Sequence, residues 1–284
     1  MARLSYNQGP AAGETKKRSL LAANPIMRRL DKVDEYGAQE CATYNGIIMK
    51  TALFMLFTLG GVILNLVLTK SLSVGEMMNF SIKNFPVSVY MNEIFAVGAC
   101  LVLAIVFQLL AFFVKASTPV TGALYCVTQG YIIAFLLFRV AQGYEYLVAL
   151  ALAITFVIVI TMSLLYKKGI VRVNKKFKAV LFTLMITGVT ISLLTFLAYL
   201  IPFTRNIAAL VVDHTALSIF SSVIFIIIAS LFLISDFDTI DNVVNNKLPK
   251  KYEWMAAFGL AFTIIWIYVK VLDILLRVIG NKKN

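Results

Sequence analysis

Long apolar runs broken by short polar stretches set the pattern of this chain. Seven of them, at about 47–68, 94–114, 120–138, 146–166, 179–201, 216–235 and 254–279, are each long enough to cross a bilayer core, which takes about 18 or more apolar residues for roughly 30 Å. They predict an all-α integral membrane protein, a seven-transmembrane-helix bundle. The third run is short, and the seventh is interrupted by Lys270, Asp273 and Arg277. The connections are mostly brief, the longest being 69–93 and 167–178. Ahead of the runs lies a different kind of sequence. Residues 1–23 are small, polar and basic, a composition that cannot bury enough apolar surface to order itself. In "NPIMRRLDKVDEY", Asn24 is placed as an N-cap and Pro25 at the first helical position, and Ile26, Leu30 and Val33 recur at helical spacing. That spacing predicts a short helix lying in the membrane interface. The expected organisation is a polar and basic tail over 1–46 and a membrane domain over 47–284.

Composition strengthens the membrane assignment. Hydrophobic residues make up 60% of the chain and charged residues 14%, with a mean hydropathy of +0.87, too apolar for a soluble domain of this size. The net charge of +12 is no sign of nucleic acid, because the cations are grouped by topology. Arg3, Lys16, Lys17, Arg18, Arg28, Arg29 and Lys32 occupy the tail, and Lys167, Lys168, Arg172, Lys175, Lys176 and Lys178 the loop after the fourth run. The alternate loops carry few. By the positive-inside rule the N-terminus is cytoplasmic, in a plasma membrane. Seven spans then put the C-terminus outside, against a mild counter-signal from Lys282 and Lys283. With no secretory signal visible, entry through the first helix is expected. The basic loops suit anionic lipid as a partner. Cys41, Cys100, Cys126 and the single His214 are too few to build a Cys/His zinc site. No Gly-rich phosphate loop or Ser/His/Asp set is present, so neither an enzyme nor a resident cofactor is expected.

The chemistry then lies in polar residues at membrane depth, where a charged side chain costs about 2.5–3.5 kcal/mol on insertion scales. Glu93, Lys115 and Arg139 sit at run ends, where snorkelling makes interface anchors of them. Asn65, Gln108 and Gln129 read as hydrogen-bonding glue between helices. The stretch "SLFLISDFDTIDNVVNN" is more pointed, with Asp236, Asp238 and Asp241 inside six residues of a chain holding 14 acids. Continued as a helix to about Asn245, it places Asp236 on the apolar face with Ile240 and Val243. Asp238, Asp241, Asn242 and Asn245 fall on the wet face, where the two acids are expected to solvate the helix end. A buried carboxylate must be protonated, find a cationic partner or hold a cation. Lys270 in the seventh run is a candidate partner, unless it pairs with Asp273 one turn on.

These residues carry a resemblance. "NPIMRRL", "ATYNGIIMKT", "TPVTGALYCVTQGY", "DFDTID", "KYEWMAAFGL" and "IWIYVKVL", in this order across the chain, are similar to the Bax inhibitor family of transmembrane Bax-inhibitor-motif proteins, and more narrowly to its bacterial branch with a long polar tail. The resemblance implies a seven-helix bundle around a central helix. It also implies a cation leak, calcium foremost, gated by protonation of a carboxylate pair. One acid of that pair maps onto Asp236, which makes Asp236 a weak calcium ligand. The other position, after a triplet resembling Ile267–Tyr268–Val269, reads Lys270, and the Glu of the third helix reads Gln129. Lys115, before Pro119, loosely matches a basic residue that pairs with the helix-six acid in relatives.

Two carboxylates share a proton and titrate near neutral pH; an Asp–Lys pair is neutral in its charged form and repels calcium. The sequence therefore supports a calcium leak or pH-responsive channel with a modified acid site. Its rival is a non-conducting regulator bound to a membrane protease or another integral partner. A solute transporter lacks an inverted repeat or broken-helix pair. A retinal protein would use Lys270, but Gln129 stands where helix three would need an acid and only two Trp residues are present.

Overall fold

The computed structural model describes residues 41–82, 85–114, 116–140, 142–144, 146–171, 173–200 and 215–281. The tail with its interfacial helix, Lys115, His214 and the C-terminal lysines lie outside the described residues.

Among the described residues seven α-helices follow one another: α1 (Tyr44–Leu72), α2 (Met91–Phe113), α3 (Thr118–Phe135), α4 (Tyr146–Lys167), α5 (Lys175–Leu200), α6 (Thr215–Asn245) and α7 (Tyr252–Asn281). Six of them, all but α5 among the described residues, are long and apolar enough to cross a membrane. The short third run and the charge-interrupted seventh both qualify. They are also the most enclosed, with 61% of the apolar window of α3 and 50% of that of α7 buried, against 11% for α2. The central element is α7, which packs on α1, α3, α4 and α6. The outer faces of α1, α2 and α4 expose leucine, isoleucine, valine and phenylalanine to the surroundings, the pattern of helices solvated by lipid rather than water.

Local sequence explains the helix ends. At α1, Thr43 is extended and its hydroxyl accepts from the Gly46 N–H at 3.0 Å, an N-cap. The α6–α7 turn closes through Lys247, whose φ of 49° lies in the left-handed region. Leu248 N–H then returns to the Val243 carbonyl. The segment before α1 is zipped to this turn, since Ala42 N–H donates to the Leu248 carbonyl at 2.7 Å and Cys41 bridges to Pro249. Two glycines allow α1 and α3 to touch backbone to backbone. A Cβ on Gly61 would run into the Val127 carbonyl, and one on Gly130 into the Thr58 carbonyl, the small-residue packing that membrane helices use for close approach.

One element was not expected in the 69–93 loop. Strands β1 (Met77–Ile82) and β2 (Phe85–Tyr90) pair antiparallel, with Phe80 opposite Val87 and Ile82 opposite Phe85. Val87 and Val89 are buried while Ser88 between them is exposed. This is the period-two alternation of a half-buried strand, present in the sequence and missed there. The hairpin rests on α2 and on a π-helical turn, Leu136–Val140, that ends α3.

Candidate functional site

The acids cluster where α6 runs out of the apolar part of the bundle, and each is bound to a different helix. Asp236 is fully buried, as are Ile240 and Val243 on the same face, whereas Asn242 and Asn245 are exposed. Its Oδ2 accepts a 2.6 Å hydrogen bond from the Thr263 hydroxyl of α7, which also donates to the Gly259 carbonyl in a shared arrangement. The neighbouring Ser235 hydroxyl is buried with no hydrogen-bond partner among the described residues.

Asp238 and Asp241 do more than solvate the helix end. Asp238 Oδ2 lies 2.8 Å from Nζ of Lys178, a largely buried residue in the first turn of α5. Asp241 accepts from two tyrosines, the Tyr44 hydroxyl of α1 at 2.9 Å and the Tyr166 hydroxyl of α4 at 2.6 Å. The expectation of two solvated acids is therefore corrected. An amphipathic reading assigns a face to water or to protein, but it has no means of seeing that α1, α4 and α5 end at the same level with donors aimed at that face. Through these three aspartates, α6 is tied to α1, α4, α5 and α7.

A fourth acid completes this end. Glu253, in the first turn of α7, is fully buried. It accepts from Thr43 N–H at 2.8 Å and the Thr43 hydroxyl at 3.1 Å, and it forms an ion pair with Lys50 of α1. The Lys50 ammonium also lies 5.2 Å from the centroid of the Trp254 ring, a cation–π distance. Gly46 leaves the room this carboxylate occupies, because a Cβ at that position would overlap it and force the Glu253 side chain to shift. Sequence reasoning missed Glu253 and Lys50; the signal was an acid and a lysine each within two turns of a helix start, joined only by the fold.

The remaining sequence candidates sit elsewhere. Lys270 lies seven residues beyond Thr263, about 10 Å along α7. Its ammonium is 4.8 Å from the centroid of the Phe225 ring, and Phe225 is eleven residues, about 16 Å of helix, from Asp236. That is beyond ion-pair reach, so Thr263 rather than Lys270 is the α7 group placed on Asp236. Antiparallel helices fix this register, and a motif spacing within one helix cannot. Asp273 accepts from Arg277 Nε at 3.0 Å and the Ser222 hydroxyl at 3.1 Å, holding α7 to α6 further along the bundle. Gln129 is half-buried on α3. Asn65 is buried on α1, with the Thr69 hydroxyl of its own helix 3.4 Å from its Oδ1.

Glu93 and Arg139 are not separate interface anchors. Glu93 is only 3% exposed and pairs with Arg139 at the hairpin end of the bundle.

Among the described residues, no group of three or more His, Cys, Asp or Glu is arranged to hold a metal ion. Calcium takes six to eight oxygens. The Thr263 hydroxyl donates to Asp236, while Asp238 and Asp241 are engaged by Lys178, Tyr44 and Tyr166. The arrangement does not fit a resident calcium ion. What it does chemically is keep one carboxylate away from water, inside a ring of tied helix ends.

A family model described as Bax inhibitor 1 like matches residues 18–280 of the chain. Comparison with curated proteins and with solved structures gave no match.

Proposed function

The chain belongs to the Bax inhibitor 1-like family, and from that premise we propose that it is a cation leak of a bacterial plasma membrane, with calcium as permeant substrate, its N-terminus cytoplasmic, and the acid-lined end of the bundle closed. The observation that carries this reading is Asp236, a carboxylate at zero exposure between α6 and α7 with the Thr263 hydroxyl on it. A carboxylate in that setting is costly to the fold and is retained where ions or protons pass. The ties of Asp238 to α5 and of Asp241 to α1 and α4 hold the closed arrangement; loosening them frees two carboxylates at the mouth that leads to Asp236. The protein acts as a conduit and not as an enzyme, needs no resident cofactor, and contacts anionic lipid through its basic loops. Calcium flux into liposomes carrying the purified protein tests this. The wild type is expected to conduct and Asp236→Asn to conduct at a clearly different rate; equal rates from a folded variant would overturn the role of Asp236.

One observation favours a second reading, a non-conducting regulator of a membrane protease or other integral partner. All of the acids in "DFDTID" are engaged within the chain, as in a structural clamp. No flux from the wild type, together with co-purification of an integral partner that survives Asp236→Asn, would establish it.

A further inference from the structure

The end of the bundle opposite the aspartates holds a further buried carboxylate. Glu93 stands in the first turn of α2 with its side chain 4% exposed. Oε1 accepts from the Ser73 hydroxyl at 2.7 Å and from Arg139 Nη2, and that same Nη2 donates to the Ser73 oxygen at 3.0 Å. Oε2 is buried with no hydrogen-bond partner among the described residues. Arg139 reaches in from the π-helical turn after α3, a local distortion that recurs at functional sites, and it is partly open to the surface at 26% exposure. The hairpin lies on both partners, with β2 packed on α2 and on the π turn and Val87 and Val89 turned inward. Beneath the pair, Tyr131 lies within electrostatic reach of Glu93 and Cys100, and both Tyr131 and Asn65 of α1 are buried, so polar groups continue into the bundle.

We propose that Glu93 is a cation site at the hairpin mouth and that the Arg139 guanidinium is its tethered occupant, a plug that a permeating cation must displace. A carboxylate with one oxygen unsatisfied has capacity to spare for a cation. An arginine on a surface turn, capped by a hairpin, is able to leave it without unfolding a helix. The neutral pair is closed; the bare carboxylate is an entry site for a small cation. This rests on the leak reading, but the two fail separately.

Cys100, two turns below Glu93 on α2, serves as a reporter of water entry. The full chain with Cys41→Ser and Cys126→Ser is treated in detergent with a membrane-impermeant thiol reagent. Arg139→Gln is expected to speed labelling of Cys100 severalfold over this parent. Millimolar calcium should slow labelling again in Arg139→Gln but not in Glu93→Gln/Arg139→Gln, and Arg139→Lys should stay near the parent rate. If Arg139→Gln does not fold, Glu93→Gln releases the same arginine and predicts fast, calcium-insensitive labelling. Labelling of folded Arg139→Gln no faster than the parent, or no calcium protection that depends on Glu93, would overturn the proposal. Fast, calcium-protected labelling without calcium flux in liposomes would uphold the site and sink the leak reading instead.

Discussion

Replacing Lys50 with Met isolates the tie between the starts of α1 and α7. The substitution keeps most of the side-chain volume and removes the ammonium, leaving the Glu253 carboxylate at zero exposure with the two Thr43 donors still on it. Removing one member of a buried ion pair costs about 3–5 kcal/mol. The Lys50 side chain is 16% exposed and the Thr43 bonds persist, so the cost falls to or below the lower end of that range, about 2–3 kcal/mol. For chains of this size that is a fall in melting temperature of roughly 5–10 °C, readable by loss of the monodisperse peak after heating in detergent. Glu253→Gln leaves the opposite charge behind, but Lys50 is able to reach water and should cost less, about 1 kcal/mol. The double substitution removes both charges and should be no worse than Lys50→Met alone, a coupling of about 1 kcal/mol or more in the cycle. Additive losses, or a Lys50→Met shift within error of zero, would refute the claim that this pair holds the helix starts together.

Three further outcomes follow from the same geometry. Thr263→Val removes the donor on Asp236 and should destabilise by about 1–3 kcal/mol; adding Asp236→Asn should recover part of that loss in the same melting assay. At Asp241, Tyr166→Phe breaks a shorter and less exposed bond than Tyr44→Phe, so its penalty, about 1.5–3 kcal/mol for a charged acceptor, should be the larger of the two; the reverse order would place the weight of the clamp on α1 instead of α4. Gly130→Leu drives a side chain into the Thr58 carbonyl and should abolish monodisperse expression, whereas Gly60→Leu, with open space at its Cβ position, should leave it unchanged.

The sequence determined the elements. Seven apolar runs became seven helices, with α1 and α6 extending at their ends beyond the apolar limits, because a bilayer leaves a chain of this composition few alternatives to helix. The inward turn of Asp236 was also legible, since a 100° step fixes which residues share a face with Ile240 and Val243. What lay outside the reach of pattern was everything that depends on two helices meeting. Asp238 and Asp241 read as wet because their face is polar, yet Lys178, Tyr44 and Tyr166 arrive there from distant parts of the chain. Lys270 read as a candidate partner of Asp236, with Asp273 as the alternative, because these are charges in apolar surroundings, while the antiparallel register of α6 on α7 puts Thr263 at that level and Lys270 over Phe225. Glu93 and Arg139 read as anchors, one at each of two run ends, until the fold folded them against Ser73. Periodicity within a helix is a local property and the sequence holds it; the axial offset and rotation of one helix against another is set by side-chain packing and by backbone contacts such as that between Gly61 and Gly130, and only the assembled bundle decides it.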